Sequence, residues 1–382
     1  MNTPLVSIVT PTHNRWAYLQ QAIASVQAQT YPYWELIIVD DGSTDETETH
    51  LRRLPDPRLR PVRQAQAGRA AARNRGLSLA TGAFVALLDD DDWYLPHKLA
   101  QQVAFLQTHA DVDLVAAGTY IVQDGEAPVP WETWRDQPEL TLDRCLYGCP
   151  VPTCTVLWRR ELLARLDHWF DPRLEVLEDT DFWLRLLLAG AHFAWLPQLV
   201  SVYRRHAGNS QQDGDRYARA YGQLPRKWLA QADLPPAVRA REGALRAHYW
   251  LAGACRAYAG NNIPLAQSLL QQAVAWQPTL AHPQDQTIME MVVGFAHSHH
   301  VSDPPAFVRD VWRNLPPSLL DLCRQERRAL GLLYMGRVLK ARDAAARPAL
   351  RDWARALYYD APRWLPRRGT WAALWGRFAH AR

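Results

Sequence analysis

Four consecutive carboxylates, Asp89 to Asp92, carry the strongest chemical signal in the chain. Adjacent carboxylates repel one another and settle best beside a cation or hydrogen-bond donors. Hard divalent ions take oxygen ligands, and magnesium-type ions use one or two carboxylates together with substrate phosphates. The acidic run is therefore a candidate metal–diphosphate site. The plainer alternative is a solvated turn capping the helix expected at residues 96–99. Asp40-Asp41-Gly42-Ser43-Thr44-Asp45 is a second acidic turn. Arg69 and Arg73 lie four apart in an alanine-rich, helix-favouring segment and share one face. Arg73 is either a planar donor for a phosphate or part of a solvated arginine face. Asp179 stands near the start of an expected helix, where the helix dipole favours an ionised carboxylate, or where it is a simple cap.

The elements that would position these groups alternate in type. Residues 5–10 (LVSIVT) read as a β-branched strand that Pro11 ends, followed by the polar turn Thr12-His13-Asn14-Arg15 and a helix over 16–29. Residues 34–39 read as a second strand, running into the Asp40–Asp45 turn and a helix to about Leu54. Residues 83–88 are a short apolar run entering the four carboxylates. Repeated strand, polar turn and helix predict parallel strands with helical crossovers. Such sheets bind ligands beyond the carboxyl ends of their strands, so the turns after Val9, Val39 and Leu88 would share one edge. Arg58–Arg63, Leu114–Val122, 150–158 and Val200–Tyr203 are further strand candidates, residues 160–167 read as helical, and 124–138 reads as a loop carrying Trp131 and Trp134. Basic Arg204-Arg205-His206 follows the last strand.

The chain has 382 residues, 48% apolar and 21% charged, which describes a folded protein long enough for two domains. A net charge of +4 gives no case for nucleic-acid binding. Cys145, Cys149 and Cys154 cluster, but with no fourth ligand at zinc-like spacing they read as free thiols. The chain opens Met-Asn-Thr-Pro and runs directly into a strand, and no apolar run approaches a membrane span, so a cytoplasmic protein is expected. After about Gly214 strand signals vanish, which sets expected domains of 1–213 and 214–382. Trp250, Ala266, Leu270, Ala273 and Pro278 fall at spacings like one tetratricopeptide-type helix pair, with a fainter copy over 334–362. The Arg/Trp-rich tail over 363–382 is either a packed helix or a peripheral membrane contact at the inner face.

In order along the chain, VSIVTPTHNR (6–15), ELIIVDDGSTD (35–45), ARNRGL (72–77), LDDDD (88–92), Glu178-Asp179 and YRRH (203–206) resemble the motifs of family 2 glycosyltransferases. The resemblance covers about the first 210 residues. It implies a GT-A fold, a Rossmann-like α/β architecture with a mixed, mainly parallel sheet flanked by helices, here followed by an all-α region. It also implies inverting transfer from a nucleoside-diphosphate sugar, most simply a UDP-sugar, to a sugar, lipid-linked or protein acceptor, with manganese or magnesium as cofactor. By the same resemblance Asp91 binds the metal and Asp89 lies near the metal or ribose, with Asp90 between them. Thr10, Pro11 and Asp41 form the base pocket, with Asp40 able to exchange with Asp41, and Asn14 and Arg15 belong to the donor site. Arg73, Arg204 and His206 contact the diphosphate, His206 also serving as a metal ligand, and Asp179 is the catalytic base.

Two other readings compete. A sugar-1-phosphate nucleotidyltransferase would carry a Gly-rich turn with a Lys after the first strand, and residues 11–15 (PTHNR) lack both. A catalytically inactive scaffold acting through its helical half would not need an intact set of Asp89, Asp91, Asp179 and His206.

Overall fold

The computed structural model describes residues 3–343 except 124–125, 207–208, 210–212, 232–233 and 299, together with 351–352, 354–356 and 358–359. The tail over 363–382, read as either a packed helix or a membrane contact, lies outside the described residues, as does part of the fainter helical copy. The chain divides into two compact units, the first ending at Ser210 and the second beginning at Gln211.

The first unit contains β1 (Val6–Thr12), α1 (Trp16–Gln27), β2 (Trp34–Asp40), α2 (Thr47–Leu51), β3 (Leu59–Arg63), α3 (Arg69–Leu79), β4 (Phe84–Leu87), β5 (Trp93–Tyr94), α4 (Lys98–Thr108), β6 (Leu114–Gln123), β7 (Val129–Trp131), α5 (Thr133–Asp136), α6 (Leu142–Cys145), β8 (Leu157–Arg159), α7 (Glu178–Leu188) and β9 (Phe193–Arg205). The strands form one mixed sheet in the order β3-β2-β1-β4-β8-β6-β9-β5, with β7 paired to β6. The β3-β2-β1-β4 half is parallel, as is β6–β9, whereas β8 runs antiparallel to both β4 and β6. Every residue of β1, β2 and β4 is buried, the mark of parallel strands covered on both faces.

β1 runs through Pro11, which the sequence reading took as its end. The reason is local. Pairing with β4 stops at Val9, while pairing with β2 continues to Thr12. Hydrogen bonds alternate sides along the strand: Val9 C=O accepts from Leu88 N–H and Thr12 C=O from Asp41 N–H. The missing N–H of Pro11 therefore faces the side where β4 has already ended, and no ladder bond is lost. The segment expected as a loop over 124–138 contains β7 and α5 instead, and 150–158 holds a 3₁₀ turn over Thr153–Thr155 before β8.

α3 packs on the parallel half through Ala70, Ala72, Arg73, Gly76 and Leu77. At Gly76 an added Cβ would lie 2.2 Å from Val9 Cγ1, so only glycine permits this approach of helix to strand.

The second unit is helical among the described residues: α8 (Gly214–Trp228), α9 (Pro236–Arg239), α10 (Glu242–Ala259), α11 (Ile263–Trp276), α12 (Thr287–Ala296), α13 (Pro304–Arg313) and α14 (Glu326–Asp343). α10 and α11 pack together and bury Trp250, Ala266, Leu270 and Ala273. No described helix is long and apolar enough to cross a membrane.

Candidate active site

The acidic run leaves β4 and turns beneath the ends of β1 and β9. Asp90 accepts the Thr12 hydroxyl at 2.7 Å and Arg15 Nη1 at 3.4 Å. Asp91 Oδ2 accepts from Arg15 Nη1 at 2.8 Å, His206 Nε2 at 3.0 Å and Asn209 Nδ2 at 3.5 Å. Asp92 Oδ1 accepts the Arg204 backbone N–H at 3.0 Å, which ties the end of β9 to the turn. Burial first, then the Asp91 charge, pushes Asp90 up to about 7 despite Arg15 and Thr12. Burial and the charges of Asp91 and Asp89 likewise push Asp92 well above the ordinary carboxylate range.

Asp89 points the other way. It accepts Arg73 Nη2 at 2.6 Å and the Thr153 hydroxyl at 3.1 Å, and its side chain is 28% exposed. Burial opposes its ionisation, yet Arg73 holds its carboxyl below the usual range. The other arm of Arg73 reaches Glu178 Oε1 at 2.7 Å, and Arg69 pairs with the same carboxylate. The next residue in motif order, Asn74, exchanges two hydrogen bonds with the Phe170 backbone, 2.7 and 2.9 Å. The ARNRGL motif is thus a brace that pins the chain leading into α7. Leu177, the residue before α7, has φ +62, a left-handed conformation strained for a branched side chain. Half-buried Asp179 follows in the first turn of α7 and accepts the Thr180 N–H at 2.7 Å. Burial and then Glu178 push its carboxyl up, against the pull of Arg73 and Arg69.

His206 stacks on Tyr18 with ring centroids 4.8 Å apart. The Arg204 guanidinium lies 4.7 Å from the Trp93 ring centroid and 5.1 Å from that of Tyr18, and its Nε donates to the Asp91 carbonyl at 3.1 Å.

The second acidic turn forms a neighbouring network. Asp41 Oδ1 accepts from Gln64 Nε2 and Ala67 N–H at 2.7 and 2.9 Å, and Oδ2 from Gly68 N–H at 2.8 Å. Asp40 accepts the Ser43 N–H at 2.8 Å and Arg63 Nη1 at 3.0 Å. Asn14, at φ +53, accepts the Thr44 N–H at 2.7 Å and the Asp45 N–H at 3.2 Å, latching the two turns together.

Asp90, Asp91, Arg15, Arg204 and His206 therefore form one network, and Asp89, Arg73 and Glu178 a second that adjoins it along the backbone of the turn, with Asp179 next to Glu178. Three residues expected at the donor site are engaged or enclosed in this structure. Arg73 is enclosed between Asp89 and Glu178 and does not present an open fork to a phosphate, because two carboxylates already take its donors. Arg204 is similarly engaged between two rings and the Asp91 carbonyl. Thr10 is 1% exposed and its hydroxyl is enclosed in β1 without a partner, so its side chain offers no surface to a base; Pro11 is buried beside it. Thr12, Tyr18, Thr153 and Asn209 were not singled out from sequence, and Glu178 was quoted in its motif without a role. Only Glu178 left a usable signal, an acid whose natural partners are the two arginines on one helix face.

The donors around Asp91 suit a divalent ion. Adjacent ligands on an octahedral ion with bonds of about 2.1 Å lie about 3.0 Å apart, and Asp91 Oδ2 and His206 Nε2 are 3.0 Å apart. Among the described residues no three His, Cys, Asp or Glu side chains are grouped to hold a metal alone, so the remaining positions of such an ion would be filled by substrate oxygens or water.

A sheet of this order, with acidic turns at the carboxyl ends of its parallel strands, defines a nucleotide-binding α/β enzyme of GT-A type. Residues 7–166 match glycosyl transferase family 2. TuaG of Bacillus subtilis, a glycosyltransferase provisionally assigned to teichuronic acid biosynthesis, is 33% identical over 205 residues, 53% of this chain and 79% of that protein. WfgD of Escherichia coli, a UDP-Glc:α-D-GlcNAc-diphosphoundecaprenol β-1,3-glucosyltransferase, is 30% identical over 188 residues, 49% of this chain and 71% of that protein. The mannosyltransferase PcManGT of Pyrobaculum calidifontis, solved with GDP-Man and Mn2+, superposes with a TM-score of 0.53 at 20% identity, covering 85% of this chain and 88% of that one. The chain belongs to glycosyltransferase family 2 and is a nucleotide-sugar-dependent glycosyltransferase.

Proposed function

We propose that this enzyme transfers a sugar, with inversion, from a UDP-sugar to a hydroxyl of a sugar or lipid-linked acceptor in polysaccharide assembly. The observation that carries the reading is the bridge Asp89–Arg73–Glu178, which fixes the start of α7, and so Asp179, against the acidic turn. Asp179 is the base. Its raised pKa suits it to accept the acceptor hydroxyl proton. As that proton leaves, the acceptor oxygen bonds to the anomeric carbon, the carbon–oxygen bond to the diphosphate breaks, and the electron pair departs with the diphosphate. Single displacement needs no nucleophile from the protein, in keeping with one base. A manganese or magnesium ion held by Asp91 and His206, with Asp89 nearby, would neutralise the departing charge as a Lewis acid. Arg73 and Arg204 contribute positive charge to the turn while bracing it. Asp41 Oδ2 accepts one hydrogen bond from the protein and keeps capacity for another, which suits the imide N–H of uracil. The named substrates of WfgD support a UDP donor and a diphosphate-linked acceptor, and the ion bound by PcManGT supports the cation.

The test is thermal unfolding with a panel of nucleoside diphosphates, with and without Mn2+. A ligand at 100 times its Kd adds about 2.7 kcal/mol to stability. UDP with Mn2+ is expected to raise Tm and the other nucleotides to raise it less. No shift with any nucleotide, together with no turnover of UDP-sugars, would overturn the proposal.

A further inference from the structure

Asp91 Oδ2 is crowded. Three donors converge on this one oxygen, from Arg15 at 2.8 Å, His206 at 3.0 Å and Asn209 at 3.5 Å. A carboxylate oxygen offers about two lone-pair positions, so a cation binds here only if a donor leaves. His206 sits at the separation of a neighbouring ligand: its ring stays, but an Nε2 that ligates the cation turns its lone pair to the ion and gives up its hydrogen bond to Asp91. Asn209 is at the limit of hydrogen-bond distance and holds little. Arg15 is then the remaining close donor, and its positive charge on the same oxygen repels a cation, so Arg15 is the donor that yields.

Arg15 is built to yield. Its backbone is fixed, since its carbonyl accepts the Tyr18 and Leu19 N–H groups at 3.0 Å and starts α1. Its side chain is a long stem, 33% exposed, ending on Asp91 and more loosely on Asp90. Asp90 keeps a second donor, Thr12, and so tolerates the loss. Once displaced, the guanidinium would stand next to the incoming diphosphate, whose geometry matches its planar fork.

We propose that Arg15 is the resident counter-ion of the acidic turn, a stand-in for the metal that is displaced from Asp91 by the cation–diphosphate pair and re-engages on the diphosphate. The proposal rests on the donor-site reading above and assigns Arg15 a role in making cation and nucleotide bind together. Without nucleotide, Arg15 competes with the cation for Asp91. With nucleotide it has another partner, and the competition ends.

The experiment measures Mn2+ binding to the full chain by electron paramagnetic resonance of free Mn2+, and UDP binding by calorimetry at saturating Mn2+, for the wild type and for Arg15→Gln, Arg15→Lys and Asp91→Asn. For Arg15→Gln, Mn2+ alone is expected to bind at least tenfold tighter than to the wild type, and UDP at least tenfold weaker. Arg15→Lys keeps the charge and should leave Mn2+ binding near wild type while weakening UDP severalfold through loss of the fork, which separates competition from misfolding. Mn2+ binding to Arg15→Gln no tighter than wild type, or unchanged UDP affinity, would overturn the proposal while leaving the donor site intact. Failure of the donor-site reading looks different. The wild type would take up Mn2+ neither alone nor with UDP, Asp91→Asn would match it, and the role of Arg15 would fall with it.

Discussion

Arg73 Nη1 and Glu178 Oε1 form an ion pair at 2.7 Å in which both side chains are only 2% exposed. Such a pair is costly to desolvate, and its value lies in geometry more than in net stability. One guanidinium joins the acidic turn, through Asp89, to the first residue of the helix that carries Asp179. Removing one partner leaves an uncompensated buried charge, which costs about 3–5 kcal/mol. Arg73→Met should therefore lower the urea midpoint sharply. Arg73→Lys should lower it nearly as much, because a point charge cannot span two carboxylates. Unfolding of Arg73→Lys at the wild-type urea concentration would show that charge alone suffices.

Asp179 is the opposite case, a carboxylate whose nearest donor is the Thr180 N–H of its own helix turn. Asp179→Asn should leave Tm and UDP affinity close to wild type and reduce transfer by about 10²–10⁴-fold. Its folded pKa is raised by burial and by Glu178. The base is active when ionised, so the acidic limb of the transfer rate should fall above the ordinary carboxylate value of 3.8 and be absent from the residual activity of the variant. Loss of UDP binding in Asp179→Asn would place the residue in the donor site instead.

Much of this arrangement is legible in the sequence. Apolar runs ending in carboxylates marked the carboxyl ends of β2 and β4, and alternation of strand and helix fixed the parallel half of the sheet. The role of Arg73 was not readable, because a basic helix face looks the same in sequence whether it meets a phosphate or a buried acid. That distinction depends on Glu178, more than a hundred residues away. Thr153 and Asn209 were invisible for a similar reason, since single polar residues acquire meaning only from the loop that places them. β7 was missed because Pro130 and flanking charges resemble a loop, yet Thr119–Ile121 of β6 supplies it with a partner.

Tyr18 links two parts of the site. Its ring stacks on His206 and faces the Arg204 guanidinium. Groups that orient a metal ligand typically change metal affinity by about 10–100-fold. Tyr18→Leu keeps bulk and loses the flat face. We expect Mn2+-dependent UDP binding to weaken by about tenfold with little change in Tm, and Tyr18→Phe to restore it. Failure of Tyr18→Phe to restore binding would assign the effect to the hydroxyl and not to the ring.

Lys98 offers a test of the scaffold under the site. It is fully buried at the start of α4, where Nζ donates to the Val156 carbonyl at 3.0 Å and to Gln102 Oε1, and lies 4.6 Å from the Tyr94 ring centroid. Burial lowers its pKa from 10.5 to about 7. Above about pH 7 the unfolded chain therefore binds one more proton than the folded chain at this residue, and stability contributed here rises with pH by up to about 1.4 kcal/mol per unit. Below about 7 both states hold the proton and the contribution is flat. The ionisable neighbours, Cys154 and Tyr94, are pushed upward by burial and stay neutral in the folded protein through this window. Lys98→Met removes the titrating group and leaves the others. The stability of the wild type relative to Lys98→Met, from urea unfolding at pH 6 to 9, should be constant up to about 7 and then climb. Parallel curves would mean that Lys98 keeps its charge when folded and that the amide and carbonyl oxygens around Nζ outweigh its burial.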